Sequence, residues 1–139
     1  MLGRILAIDP GGRRVGLAMT DPMRIIASPY DTLLVNDTDD AIGQIIAVIE
    51  KEQVTEIVVG MPLRPGEAMS EQAKRVKAFI DELTKRVSQP VHTIDESFSS
   101  VEAEESLHQM GKKVGQDKGA VDRIAAAIIL NQYLKENQH

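Results

Sequence analysis

Arg4-Ile5-Leu6-Ala7-Ile8-Asp9-Pro10-Gly11-Gly12-Arg13-Arg14-Val15-Gly16-Leu17-Ala18 decides how the rest of the chain is read. An apolar run of strand length ends in a carboxylate, turns through Pro-Gly-Gly and resumes as a second apolar run after two arginines. That is the pattern of a β-hairpin with an acid at its mouth. Pro10 withholds a backbone donor, while Gly11 and Gly12 permit positive φ, so the turn can be tight and its backbone can come close to a phosphate. Asp9 then closes the first strand, where a carboxylate has to be solvated, capped or liganded. Taken alone it is an acid that solvates a turn. The rest of the chain changes its meaning.

Working outward, Met23 to Leu34 predicts a third strand, with Pro22 and Pro29 as punctuation. Pro29 cannot donate to a ladder, which sends this strand towards an edge. Asn36-Asp37-Thr38-Asp39-Asp40 supplies cap chemistry, and Ile42, Ile45, Ile46 and Ile49 recur at helical spacing. Thr55 to Gly60 is short and β-branched, a buried strand. The loop Gly60-Met61-Pro62-Leu63-Arg64-Pro65-Gly66 leads to Ser70, a cap for a helix whose apolar face is Ala73, Val76, Ile80, Leu83 and Val87. Val91 to Glu96 is a last strand and, like the first, ends in acid. Ser99 and Glu102 form a capping box for a helix closed by Gly111, and a basic loop over Lys112 to Gly119 leads to an apolar helix over Val121 to Leu134. Three meandering strands followed by helix, strand, helix, strand and two helices is an α/β arrangement, with crossovers that favour parallel pairing and helices on both faces.

Composition narrows the functions available. A chain of 139 residues fits a single domain over 1–139, large enough for a real core without disulfides. The absence of cysteine excludes thiolate metal sites and cysteine nucleophiles. Arg4 and Asp9 interrupt what would have to be the apolar core of a signal peptide, and no membrane segment is present, which predicts a cytoplasmic protein with no membrane partner. The net charge of -5 argues against coating nucleic acid non-specifically. Two Tyr, two Phe and no Trp offer few stacking platforms for bases. Basic residues gather instead near the first hairpin (Arg4, Arg13, Arg14, Arg24) and late in the chain (Lys112, Lys113, Lys118, Arg123), as local patches able to hold phosphates.

Asp9, Glu96 and Asp122 come from two strand ends and one helix start. Ligands of open α/β sheets gather outside the carboxyl ends of the strands, and with the first and fifth strands as neighbours these acids converge. Three such charges repel unless a cation compensates. Oxygen ligands without cysteine or paired histidines suit Mg²⁺ or Mn²⁺, ions that serve phosphodiester hydrolysis without a covalent protein intermediate. Arg13, Arg14 and the loop near Lys118 would then hold flanking phosphates. On its own, Asp122 is also a plain complement to a helix dipole. Because side chains alternate along a strand, only one of Asp95 and Glu96 faces such a site.

The hairpin motif Asp-Pro-Gly-x-Arg-Arg-x-Gly-x-Ala, the Gly60-Met61-Pro62-Leu63 loop with Gly66 and Ser70, the Asp95-Glu96 strand end and Val121-Asp122-x-x-Ala125-Ala126-x-x-Leu130 together resemble the YqgF (RuvX) family. The similarity runs in order over nearly the whole chain. It implies a ribonuclease H-like fold, with a mixed five-stranded sheet and helices on both faces, related to Holliday-junction resolvases of the RuvC type. It also implies a nuclease that processes the 5' end of pre-16S ribosomal RNA, with catalytic and metal-binding acids at Asp9, Glu96 and Asp122. Among Asp95 and Glu96 the resemblance selects Glu96. Where the family continues its Asp-Glu pair with arginine, this chain has Ser97. Two alternatives stand beside the RNA nuclease: a resolvase of branched DNA, and a non-catalytic RNA-binding module of ribosome assembly, which Ser97 and the acidic net charge favour. Resolvases work as dimers, but no long apolar seam marks an interface, so a monomer or weak homodimer is expected.

Overall fold

The structure is a computed structural model that describes residues 2–62, 69–95 and 119–137. Strands β1 (Arg4–Pro10) and β2 (Arg14–Thr20) form the expected antiparallel hairpin, with Ile8 opposite Leu17 and Asp9 opposite Gly16. Its turn closes where the Gly11 N–H donates to the Arg14 carbonyl at 3.0 Å. Neither glycine uses the positive φ that the sequence led us to expect. A Cβ on Gly11 would stand 2.4 Å from the Arg14 carbonyl oxygen, whereas one on Gly12 would meet nothing within 4 Å. Room, at Gly11 alone, is what the turn requires.

Strand β3 (Ala27–Leu34) pairs antiparallel with β2 and is an edge of the sheet, as Pro29 indicates. It starts later than Met23. The Asp21 carboxylate accepts from the backbone N–H groups of Met23, Ile25 and Ile26, and Arg24 takes a φ of 60°, so residues 21–26 form a turn. These hydrogen bonds, the one from Ile26 foremost, hold the Asp21 carboxyl below its ordinary range. Ile25 and Ile26 are consequently solvent-facing turn residues.

Helix α1 (Thr38–Glu52) begins on Asp37, whose side chain accepts from the Asp40 N–H at 2.8 Å, and Asp39 and Asp40 in its first turn complement the helix dipole. Strand β4 (Val54–Met61) returns parallel to β1. Helix α2 (Glu71–Arg86) starts on Ser70, which accepts from the Ala73 N–H at 3.0 Å. Its buried face is Ala73, Val76, Phe79 and Leu83, with Ile80 only partly covered. Strand β5 (Val91–Asp95) pairs parallel with β4, and helix α3 (Ala120–Glu136) is the last described element. The capping box at Ser99, the helix that it opens and the basic loop through Lys118 lie outside the described residues.

The sheet order is β3-β2-β1-β4-β5. One expectation is thereby corrected: β1 and β5 are not neighbours, because β4 pairs with both. The first crossover from the meander lands on the free edge of β1, and the next extends the sheet outward, so the two strands stand two spacings, about 10 Å, apart. One face is covered by α1 and α2, where Leu6, Ile8, Leu17, Ile57 and Val59 meet Ile42, Ile45, Phe79 and Leu83. On the other, Ile5, Ala7, Ala18, Val58 and Ile94 meet Ala126, Ile129, Leu130 and Tyr133 of α3. Among the described residues no helix is long and apolar enough to cross a membrane.

Candidate active site

At the carboxyl end of β1 the pleat decides which side chains meet. Ile5 and Ala7 pack towards α3, so Asp9, next in the alternation, is on the same face. Opposite Asp9 stands Gly16 of β2, and opposite Gly16 stands Thr32 of β3. The first turn of α3 is laid across this row. A Cβ on Gly16 would be 2.1 Å from the Asp122 carbonyl oxygen and 2.9 Å from the Asp122 Cβ, so only glycine lets the helix start rest on the strand backbone. The Thr32 hydroxyl secures the same turn. It donates to the Gly119 carbonyl at 2.7 Å and accepts from the Arg123 guanidinium at 3.2 Å.

The Asp122 side chain is thus carried to Asp9 and left only 21 % exposed. Its Oδ2 is buried and has no hydrogen-bond partner among the described residues. The Arg14 Nε stands 3.4 Å from that oxygen, an ion pair by distance that lacks hydrogen-bond alignment. Burial pushes the Asp122 carboxyl above its ordinary range. Arg14 pulls it back, the Asp9 charge pushes it up again, and Arg123 lowers it. Two carboxylates close enough to perturb each other, one with an orphaned buried oxygen, form an electron-rich site whose charge Arg14 and Arg123 partly offset.

Of the residues singled out in the sequence, Asp9, Asp122 and Arg14 come together here. Arg13 is exposed in the hairpin turn, where its carbonyl accepts from the Val35 N–H at 2.9 Å. Glu96 and Lys118 lie outside the described residues. Asp95 is on the wrong side: Ile94 packs towards α3 while Val91 joins the core under α1 and α2, and alternation puts Asp95 with Val91, away from Asp9. The basic cluster at the hairpin is half of what its spacing suggested. Arg4 donates to the Thr20 carbonyl and Arg24 to Gly3, Leu2 and Glu56, all at the opposite end of β1, about 20 Å away by strand rise. Gly16 and Thr32 are the positions that sequence reasoning missed. The Arg-x-Gly spacing in the hairpin marks Gly16, whereas Thr32 carries no local signal.

A sequence profile of the family described as "RuvX: Holliday junction resolvase" matches residues 3–136. The chain belongs to the RuvX family. RuvX relatives include a protein of Roseiflexus sp. (strain RS-1), 37% identical over 132 residues that span 95% of this chain and 94% of the relative. Another, from Koribacter versatilis, is 41% identical over 133 residues, 96% of this chain and 87% of the relative. Both are named "Putative pre-16S rRNA nuclease". Among solved structures, T. thermophilus RuvC in complex with a Holliday junction substrate superposes with a TM-score of 0.57 at 17% identity, covering 96% of each chain. The fowlpox virus resolvase with Holliday junction DNA gives 0.59 at 10% identity, covering 98% of this chain and 99% of that one. These two likenesses establish that the RuvX chain has the RuvC-like ribonuclease H fold.

Among the described residues of this RuvX protein, no three carboxylate or imidazole side chains gather into a ready cation cage. Magnesium does not demand one, since it is commonly bound by one or two carboxylates, water and substrate phosphate oxygens. Asp9 and Asp122, with the orphaned Oδ2, fit that donor set.

Proposed function

We propose that this chain is a metal-dependent nuclease of the cytoplasm that hydrolyses phosphodiester bonds of precursor 16S ribosomal RNA. The observation that carries the proposal is the buried, unbonded Asp122 oxygen beside Asp9 at the carboxyl end of the central strand. The names of the relatives support RNA as substrate. Asp9 and Asp122 would hold Mg²⁺ or Mn²⁺, joined by Glu96, which the resemblance to the family selects and which follows Asp95 in the sequence. When bound, such an ion stabilises charge on the attacking and leaving oxygens of the phosphodiester. The remaining work belongs to the chain. Arg13 and Arg14 at the hairpin, with Lys118, hold flanking phosphates, and the Gly16 seat fixes the spacing of the acids.

Cleavage of a precursor rRNA fragment with Mg²⁺ or Mn²⁺ tests this. Asp9→Asn and Asp122→Asn should each lower the rate by about a thousandfold or more, the scale of losing a catalytic group. Equal cleavage by Asp9→Asn refutes the assignment. The family description favours a second substrate, the four-way DNA junction, so both nucleic acids belong in the same assay. Binding of RNA without metal-dependent cleavage of either would turn the assignment to a non-catalytic assembly module.

A further inference from the structure

Arg14 is a cation already present beside Asp122 of the acid pair. It opens β2, its side chain is 43 % exposed, and it meets Asp122 through Nε at 3.4 Å. A guanidinium can grip a carboxylate with two parallel hydrogen bonds. This one does not: the Asp122 oxygen that it faces accepts no hydrogen bond from it. The contact is held by charge at a half-exposed position, and such pairs separate at little cost. Arg123, the other guanidinium that acts on Asp122, already donates to the Thr32 hydroxyl that locks the start of α3. Of the two, Arg14 can leave without undoing the fold.

We propose that Arg14 is a displaceable counter-cation of the acid pair, surrendering Asp122 when a divalent ion binds and freeing its guanidinium for a phosphate of the nucleic acid. The inference rests on the metal reading of Asp9 and Asp122. Its content is that one residue offsets the Asp122 charge before the ion binds and grips substrate afterwards. Arg14 therefore competes with the ion, and its removal strengthens ion binding.

Mn²⁺ binding to the full chain, followed by electron paramagnetic resonance for wild type, Arg14→Gln and Arg14→Lys, tests this without recourse to activity. Arg14→Gln should bind Mn²⁺ about fivefold more tightly, the fold-change matching a half-exposed ion pair, and Arg14→Lys should stay near wild type. Equal or weaker binding by folded Arg14→Gln overturns the proposal while leaving the metal site intact. Should Arg14→Gln fail to fold, wild type with ¹⁵N-labelled arginine gives the answer. The Arg14 Nε–H signal should move to a solvated position as Mg²⁺ saturates, and a signal that stays put during binding overturns the proposal. Absence of Mn²⁺ binding to wild type and variants alike removes the metal reading and this inference with it.

Discussion

A carboxylate lies near each end of the central strand β1, Glu56 of β4 at the amino end and Asp122 of α3 at the carboxyl end, and the surroundings treat the two in opposite ways. At the amino end, Glu56 is surrounded by donors. The Tyr133 hydroxyl donates to it at 2.5 Å, the Arg24 guanidinium at 3.3 Å, and His92, stacked on the Tyr133 ring, stands 3.8 Å away. At the carboxyl end, Asp122 has a buried oxygen without a hydrogen bond and a second acid beside it. A satisfied carboxylate fastens α3 to the sheet. An unsatisfied one is a local cost that persists because the surrounding contacts, Gly16 and Thr32 among them, hold it in place. One end of the strand holds a satisfied carboxylate and the other an unsatisfied one.

The most severe way to break this contrast is Gly16→Ala. With the Asp122 carbonyl 2.1 Å from the new Cβ, the helix start must lift, at a cost of about 3 kcal/mol or more, and cleavage should be lost with it. Urea denaturation and the rRNA assay read both effects. Glu56→Ala acts at the fastening end, leaving Arg24 and Tyr133 without their acceptor and costing about 2 kcal/mol, while the folded protein cuts normally.

Tyr133 sharpens the same point through pH. Burial, reinforced by the bond to Glu56, pushes its hydroxyl up to about 12 from 10.0. Between those values the folded chain keeps a proton that the unfolded chain has lost, so stability falls as pH rises from 10 to 12. The advantage of wild type over Tyr133→Phe in melting temperature should therefore shrink across that window.

Asp122→Asn should move stability the other way. Its carboxyl is raised above 3.8, so the folded state holds the proton more tightly and stability declines as pH climbs through the raised value. Without added metal the variant should melt a few degrees higher than wild type at neutral pH, and the gain should vanish below the ordinary carboxylate range even though cleavage is abolished. A variant that melts lower at neutral pH would mean that the Arg14 contact outweighs the burial. Smallest of all, Gly12→Ala should change stability by no more than about 0.5 kcal/mol, because nothing lies within 4 Å of the added methyl.

The contrast also explains what was legible in the sequence. Local chemistry survives translation into structure: Asp37 and Ser70 cap the helices that their spacing announced, Pro29 lies on an edge strand, and Asp9 stands one residue before the end of the first strand. The hairpin of β1 and β2 was legible too, but which side chains end up together at its two ends was not. Four arginines near one hairpin in sequence divide between opposite ends of a strand, because an antiparallel turn separates neighbours by the strand's full length. The order of β1, β4 and β5 likewise depends on where each crossover lands, and Val91 to Asp95 carries no mark of its neighbour. Asp122 was nameable as an acid at a helix start, but its burial and its missing hydrogen bond arise from Gly16, more than a hundred residues earlier in the chain.

Strand β3 has a consequence for self-association. Its pairing with β2 shifts register between Leu17 and Ala18, Pro29 within it has no N–H to offer, and Asp31 puts a charge on the same edge. Bulge, proline and charge are the devices that stop an edge strand from templating another. The side of the sheet nearest the acid pair is thus a poor place for a second chain to add a strand, and it keeps the approach to Asp9 and Asp122 from being closed by aggregation through that edge.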